Sequence, residues 1–342
     1  MQQEQDSRHT WRRVRMMVAM VSVIGIAALM LVSCSSQKNT ARSRWWHAFN
    51  ARYNTYYNGS QAFIEGSQER EKNPNDNFTE MLPLYTVANK KGKDTGKSNF
   101  DKAIEKSQKA IKQWNKSRRK TAKDIEWLNR REYNPFLWKA WLLMGKSQFQ
   151  KGNFEEAAAT FSYMSRLYAT QPSINGISRA WLAKSYVELD WLYDAEDVIN
   201  KMKRDSMHYN AVADWDYAYA DYYLRNHQYK EAVDYMKKVV KHEKRRKQKA
   251  REWFILGQLY TQLGNNDEAY KAYRKVIRLN PPYQVEFNAR ISQTEVMAKG
   301  NAKGMIRKLK RMASSDKNSD YLDQVYYALG NIYLMQNDTT NA

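Results

Sequence analysis

Cysteine is almost absent from this sequence, and proline and glycine are scarce. The 342 residues include one Cys, 6 Pro and 13 Gly. The single thiol, Cys34, excludes a disulfide bridge within the chain. With so few helix-breaking residues, the composition favours long helices joined by short connections over an all-β fold. Hydrophobic residues make up 42% of the chain, with 24 Tyr and 11 Trp, which is enough for a sizeable helical core.

Motifs for catalysis and for metal binding are also missing. No histidine lies in H-E-x-x-H spacing, and the chain has neither G-x-S-x-G nor a phosphate-cradling glycine loop. Adjacent carboxylates such as Glu155-Glu156 and Asp267-Glu268 lie near predicted helix starts, where negative charge suits the helix dipole. We therefore predict a protein that is not an enzyme and that uses no cofactor, metal or small-molecule substrate.

The N-terminus has the pattern of a bacterial lipoprotein signal. A basic stretch precedes an uncharged apolar run from Met16 to Val32, which is short for a membrane-spanning helix. The run ends in Leu31-Val32-Ser33-Cys34, a lipobox pattern in which the Cys thiol is acylated. We predict a signal peptide over residues 1–33, lipidation at Cys34 and a polar tether over residues 34–43. The alternative is an uncleaved membrane anchor with an ordinary thiol.

Positive charge dominates the composition, with a net charge of +21. Such a charge favours nucleic-acid binding, but an exported protein rarely meets nucleic acid. We therefore expect an acidic protein, anionic lipid headgroups or a cell-wall polymer as the counterpart. The candidate docking patch for an acidic partner consists of Lys244, Arg245, Arg246 and Lys247. The alternative is a solvated helix end, because cations suit a helix C-terminus.

Residues 44–130 are predicted to form an N-terminal helical region that opens with a hairpin. Aromatic residues recur at helical spacing, and Asn58-Gly59 is expected to end the first helix before Ala62 and Phe63 begin a second. We predict that these aromatic side chains form core, with a sugar-binding platform as the alternative. Residues 73–98 are predicted to be loop, and a helix is predicted over about 99–116. The aromatic residues are Trp45, Trp46, Phe49, Tyr53, Tyr56 and Tyr57.

A repeated pattern indicates the fold. Small residues stand at Gly257 and Ala269, where two helices would touch, and large residues surround them. This is the tetratricopeptide repeat (TPR) pattern of paired helices. Its residues here are Trp253, Leu256, Gly257, Tyr260, Gly264, Ala269, Tyr273, Val276 and Pro281. Earlier copies align on Ala157, Ala195 and Ala232.

The pattern predicts an all-α TPR solenoid over residues 134–342. We expect about five to six repeats, including a degenerate helix pair over about 284–313. Leu329-Gly330 and Tyr333 begin one more copy, which the chain leaves incomplete. Because repeat arrays normally end in a polar cap, we expect the chain to be an N-terminal piece of a longer protein.

TPR arrays bind ligands in a groove lined by the first helix of each repeat. The sequence lacks the Lys and Asn pairing that binds chaperone C-termini, which disfavours that kind of partner. The positions that correspond to a protein-binding groove are Lys139, Leu142, Lys146, Phe149, Tyr217, Asp221, Arg225, Arg251, Phe254 and Gln258.

Residues 44–170 resemble one family of TPR lipoproteins. The likeness lies in Arg52-Tyr53-Asn54-Thr55-Tyr56-Tyr57-Asn58-Gly59, in the segment from Phe100 to Ile111, and in the segment from Asn134 to Gly145. These segments resemble the PorW/SprE family of the type IX secretion and gliding-motility apparatus of Bacteroidetes. The resemblance implies an outer-membrane lipoprotein with periplasmic TPRs that binds components of the secretion machinery, and it supplies no catalytic residues.

Two other functions are compatible with the same features. One is a TPR lipoprotein that assists the assembly of outer-membrane β-barrels. The other is a nutrient-binding lipoprotein that holds glycans on a TPR-like frame.

Overall fold

A computed structural model describes Met20 and residues 40–72, 75–88, 94–114, 122–128, 132–205 and 208–342. The predicted signal peptide as a segment, Cys34 and most of the tether lie outside these residues. None of the helices within them is long and apolar enough to cross a bilayer. The helices are α1 (Ala41–Asn50), continued by a π-helical stretch (Ala51–Tyr56), α2 (Tyr57–Lys72), α3 (Lys97–Trp114), α4 (Ala122–Leu128), α5 (Leu137–Lys151), α6 (Phe154–Leu167), α7 (Pro172–Glu188), α8 (Leu192–Arg204), α9 (Val212–Arg225), α10 (Tyr229–His242), α11 (Arg246–Gln262), α12 (Asn266–Arg278), α13 (Tyr283–Ala313) and α14 (Leu322–Met335).

The helices from α5 onward pack as successive antiparallel pairs, which confirms the predicted all-α TPR-like solenoid. The pairs are α5/α6, α7/α8, α9/α10 and α11/α12. Helix α13 covers the predicted degenerate pair, and the backbone breaks at Asn301 with φ −151 and ψ 58. The aligned alanines Ala157, Ala195, Ala232 and Ala269 are all 0% exposed, because each lies where two helices meet.

The turn inside each helix pair reverses the chain through one residue in the left-handed region. Gly152 and Gly264 have φ 90 and 73, and Asp190 and His227 have φ 60 and 57 at the matching positions. This conformation is accessible to Gly and tolerated by Asp, Asn and His. His227 is therefore a turn residue.

The two helices of a repeat approach closely where the pattern places a small residue, as at Gly145 and Gly257. A Cβ added to Gly145 would lie 2.6 Å from Cζ of Phe161, and one added to Gly257 would lie 2.6 Å from Cε1 of Tyr273. Both distances are too short for a real contact. The large ring of the second helix therefore covers the backbone of the first.

The N-terminal hairpin differs from the predicted one. Asn58-Gly59 does not end a helix, since α1, the π-helical stretch and α2 form one continuous helical run to Lys72. A Cβ on Gly59 would lie 3.1 Å from Cβ of Lys106, so this glycine allows α2 to pack on α3. The hairpin is therefore α2 with α3, and α3 also packs on α5.

The prediction that the N-terminal aromatic residues form core is wrong for five of the six. Only Tyr56 packs inward, with its ring centroid 5.0 Å from that of Phe136. Rings of Trp45 and Phe49 stack at 5.6 Å, and those of Phe49 and Tyr53 lie 4.8 Å apart. Helical spacing placed these residues on one face but could not show whether a neighbour covers it. The exposed aromatic face consists of Trp45, Trp46, Phe49, Tyr53 and Tyr57.

The connection between α2 and α3 contains an extended stretch that packs against the first helices of the repeats. We call residues 75–88 the groove segment. Leu82 and Leu84 are each 1% exposed, and Val87, in a short 3-10 turn, is 0% exposed. All three belong to the same hydrophobic core as the repeats. The predicted loop thus contributes buried side chains to the array.

Candidate functional site

The predicted groove residues come from the first helices of three repeats. Residues 139–149 of the predicted set lie on α5, residues 217–225 on α9 and residues 251–258 on α11. Spacings of three and four residues place each subset on one side of its helix. Several of these side chains already hold the chain's own groove segment.

Arg251 binds the start and the middle of the groove segment. Its Nε and Nη2 donate to the two carboxylate oxygens of Asp76 at 2.8 and 2.9 Å. Its Nη1 and Nη2 also donate to the carbonyl oxygens of Leu84 and Pro83, at 2.8 and 2.6 Å. The side chains of Arg251 and Asp76 are only 5% and 0% exposed. This is a buried bidentate ion pair, which fixes both charge and geometry.

Gln258 pairs with the backbone of the same segment. The amide N–H of Leu82 donates to its Oε1 at 3.1 Å, and its Nε2 donates to the carbonyl of Glu80 at 2.7 Å. A side-chain amide offers both a donor and an acceptor. The Gln258 side chain therefore forms with this extended backbone the hydrogen bonds that a neighbouring strand would otherwise form.

Aromatic side chains hold the two ends of the groove segment. The ring of Phe254 lies 5.0 Å from that of Phe78, and the ring of Phe149 lies 5.1 Å from that of Tyr85, both edge to face. Phe149 and Phe254 are each 0% exposed. Four of the ten predicted groove residues thus contact the groove segment of the same chain. Their binding of another protein stays a prediction.

A buried lysine lies beside the end of the groove segment. Lys184 is 2% exposed, and its Nζ lies 3.3 Å from Oδ1 of Asp214. The same Nζ lies 4.1 Å from the ring centroid of Trp181. Burial lowers the pKa of Lys184 to about 8, because desolvation outweighs the attraction of Asp214. Nζ of the predicted groove residue Lys146 lies 4.8 Å from the centroid of the same Trp181 ring.

Tyr217 also belongs to the predicted groove and makes a buried hydrogen bond. Its hydroxyl donates to Oε1 of Glu252 at 2.7 Å. Burial raises the pKa of Glu252 to about 8, and the nearby Glu243 carboxylate adds to the effect. The pKa of Tyr217 is raised by the same burial and by the adjacent Glu252 carboxylate.

Two predicted groove residues face an open cavity instead. The cavity has a volume of about 1150 Å³ and lies between the groove segment and the second and third helix pairs. Asp221 and Arg225 line it. Arg225 is half-buried and its Nε donates to Oδ1 of Asp190 at 2.8 Å, whereas Asp221 is only 4% exposed.

The remaining predicted groove residues lie near the first end of the array. Nζ of Lys139 lies 5.6 and 5.4 Å from the ring centroids of Phe136 and Trp138. Leu142 is partly buried and packs against the core. Neither residue contacts the open cavity.

The predicted basic patch lies at the connection between α10 and α11, and all four of its residues are exposed. Arg245 forms ion pairs with Glu71 and with Glu243. Nη2 of Arg246 donates to the carbonyl of Leu279 at 3.2 Å. Arg246 and Lys247 begin α11, so the preference of cations for a helix C-terminus does not explain them.

Metal-binding clusters of three or more His, Cys, Asp or Glu side chains are not found in the part of the chain that the structure describes. Sequence reasoning missed the contribution of Asp76, Leu82 and Leu84 to the groove. The alternation of buried Leu82 and Leu84 around Pro83 is the signal of an extended strand-like segment with one buried face. Nothing in the sequence pairs Asp76 with Arg251.

A comparison with protein families matches the tetratricopeptide repeat to residues 250–283. The matched residues cover most of α11 and all of α12. No curated protein matches the chain. The tetratricopeptide repeat and the all-helical solenoid are typical of scaffolds that bind other proteins.

Proposed function

We propose that this chain is a lipid-anchored scaffold on the periplasmic face of the outer membrane. In this proposal it binds protein components of the type IX secretion and gliding machinery. The observation that carries the protein-binding part is the side of the TPR-like array formed by the first helices of its repeats. Helix α9 there contributes Asp221 and Arg225 to a cavity of about 1150 Å³ that the groove segment leaves open.

The proposal of a lipid anchor is supported by the lipobox sequence at Cys34 and by the composition of the first described helix. The exposed aromatic face begins at Trp45, eleven residues after Cys34. Trp and Tyr are enriched where membranes meet water, because each has an apolar body and a polar tip. A helix with this face would suit a position beside the bilayer.

The assignment to secretion and gliding machinery is supported by the resemblance of residues 44–170 to the PorW/SprE family. The exposed basic patch, residues 244–247, offers a surface for an acidic partner protein, since opposite charge steers association.

Lipid anchoring is tested with Cys34→Ala in a bacterial host that processes lipoproteins. We expect the unmodified chain to lose residues 1–33, gain acyl mass and partition with membranes. The Cys34→Ala variant is expected to keep its precursor mass. Once its signal peptide is removed by other means, the variant should no longer be retained in membranes. Ser36→Ala serves as the matched control. Unchanged processing and retention of the Cys34→Ala variant would contradict the anchor.

Partner identity is tested by crosslinking and affinity purification of the anchored chain. Secretion-motor or translocon proteins among the crosslinked partners would support the proposal. Barrel-assembly proteins in their place would contradict the secretion part and leave the scaffold part standing.

A second candidate function is glycan binding, and one observation favours it. The aromatic face from Trp45 to Tyr57 is exposed, as a platform that stacks on sugar rings must be. Binding of glycans without any stable protein partner in the same purification would favour this candidate over the first.

A further inference from the structure

Asp221 is a buried acid, and one of its carboxyl oxygens has no hydrogen-bond partner in the described part of the chain. It lies on α9, is 4% exposed, and lines the open cavity. Its Oδ2 has no hydrogen-bond partner among the residues that the structure describes. A buried carboxylate oxygen without a partner is costly, so proteins rarely keep one unless something binds it.

Lys184 and Arg225, the two cations that act electrostatically on Asp221, pair with other acids. Nζ of Lys184 lies 3.3 Å from Oδ1 of Asp214, and Nε of Arg225 donates to Asp190 at 2.8 Å. Glu188, which also lines the cavity, adds a second negative charge. Burial raises the pKa of Asp221 well above its ordinary value, and the Glu188 carboxylate adds to this effect.

The cavity wall combines the carboxyl groups of Asp221, Glu188 and Asp190 with apolar surface. Met81, Leu82, Leu192 and Leu224 also line it. The chain as a whole carries a net charge of +21, so most of its surface repels cations. An occupant with one positive group and apolar neighbours would complement the acidic and apolar side chains of this wall.

The groove also shows which kind of backbone it accepts. The groove segment runs through it in extended form, held by Gln258 and by Arg251 at its carbonyl oxygens. The cavity lies alongside this segment, and its volume of about 1150 Å³ exceeds what one side chain fills. A second extended segment is the occupant that matches both the volume and the lining.

We propose that this cavity binds an extended segment of a partner protein through an Arg or Lys side chain that pairs with Asp221. Glu188 adds negative charge beside the pair, and the leucines contact apolar residues that flank the basic one. A charge-assisted hydrogen bond to a buried carboxylate is among the stronger polar contacts. This inference rests on the proposed protein-binding function and adds the chemistry of the bound residue.

The test uses the purified full chain and an array of seven-residue peptides, each with a central Arg between apolar residues. Every peptide is paired with one in which citrulline, a neutral analogue of the same shape, replaces Arg. We expect the chain to bind some Arg peptides about tenfold more tightly than their citrulline partners, which corresponds to roughly 1.4 kcal/mol. Asp221→Asn is expected to remove this preference.

Two further variants make the result specific. Asp320→Asn removes an exposed acid in the connection before α14 and is expected to keep the Arg preference. Glu188→Gln is expected to weaken the preference by a smaller factor, because its side chain is only half-buried.

Equal binding of Arg and citrulline peptides would overturn the inference, as would an unchanged preference in Asp221→Asn. Competition by free arginine as strong as by the best peptide would also overturn it, because the site would then bind a small cation and not a segment. Each of these results leaves the crosslinking test of the proposed function unaffected. Loss of all partners in that test would instead contradict the function itself.

Discussion

Glu252 shows at the scale of one residue how burial sets a pH dependence. Its Oε1 accepts a hydrogen bond from Tyr217, and its Oε2 has no hydrogen-bond partner among the described residues. Burial raises its pKa from 4.5 to about 8. Between these two values the folded chain keeps a proton that the unfolded chain releases. Stability from this group therefore falls as pH rises through that window.

Glu252→Gln removes this titration and keeps an oxygen that accepts the Tyr217 hydrogen bond. We expect the variant to raise the free energy of unfolding at pH 8 by about 1–3 kcal/mol, since one pKa unit corresponds to about 1.4 kcal/mol. At pH 5 the change should be much smaller. Urea unfolding at both pH values measures the difference.

The control for Glu252→Gln is Glu268→Gln. Glu268 is exposed and pairs with Lys271 at 2.7 Å, so its loss should change stability little at either pH. An equal effect of Glu252→Gln at pH 5 and at pH 8 would contradict the raised pKa.

At the scale of elements, the packing of paired helices follows from the size of a few side chains. Gly145 faces the ring of Phe161, and Gly257 faces the ring of Tyr273. These contacts are local in sequence and occur in the first and fourth helix pairs, while Ala183 and Ala220 are the small residues of the other two. This local pattern is why the repeat predicted the helix pairs and their turns. A Cβ at either glycine would have to move a fully buried ring.

Gly145→Ala is expected to destabilise the chain by about 1–3 kcal/mol, because overpacking a filled interior shifts neighbouring side chains. Gly300→Ala is the control, since nothing lies within 4 Å of a Cβ added there. That variant is expected to be neutral or more stable by up to about 1 kcal/mol, as Ala favours helix over Gly. Thermal and urea unfolding compare the two. Similar destabilisation by both variants would contradict the packing explanation, because a Cβ at position 300 has no neighbour to displace.

The elements that the sequence could not predict depend on distant contacts. Arg251 and Asp76 are 175 residues apart, and Gln258 and Leu82 are 176 apart. Neither pair has a repeat or a spacing that marks it. The prediction that the N-terminal aromatic residues form core failed for a related reason. Helical spacing alone does not identify the neighbour that covers one face of a helix. The candidate groove residues lie on the first helices of three repeats, but the contact of four of them with residues 75–88 could not be foreseen.

At the scale of the whole molecule, the groove segment changes how the array should unfold. In a simple solenoid each repeat contacts only its neighbours, so stability is a sum of local terms and ends can fray separately. Here the segment joins Phe149 on α5 to Arg251 and Phe254 on α11. The groove segment thereby links the first and fourth helix pairs, which should unfold together.

Asp76→Asn tests this link, because it leaves the buried guanidinium of Arg251 without its carboxylate. Removing one partner of a buried ion pair costs about 3–5 kcal/mol. We expect the amide of Leu82, which donates to Gln258, to lose its protection from hydrogen exchange. Amides of α5 and α11 should then become exchangeable at different urea concentrations, whereas in the unmodified chain they should do so together. Asp320→Asn is the matched control, and coincident opening of α5 and α11 in Asp76→Asn would show that the groove segment fills the array without coupling its ends.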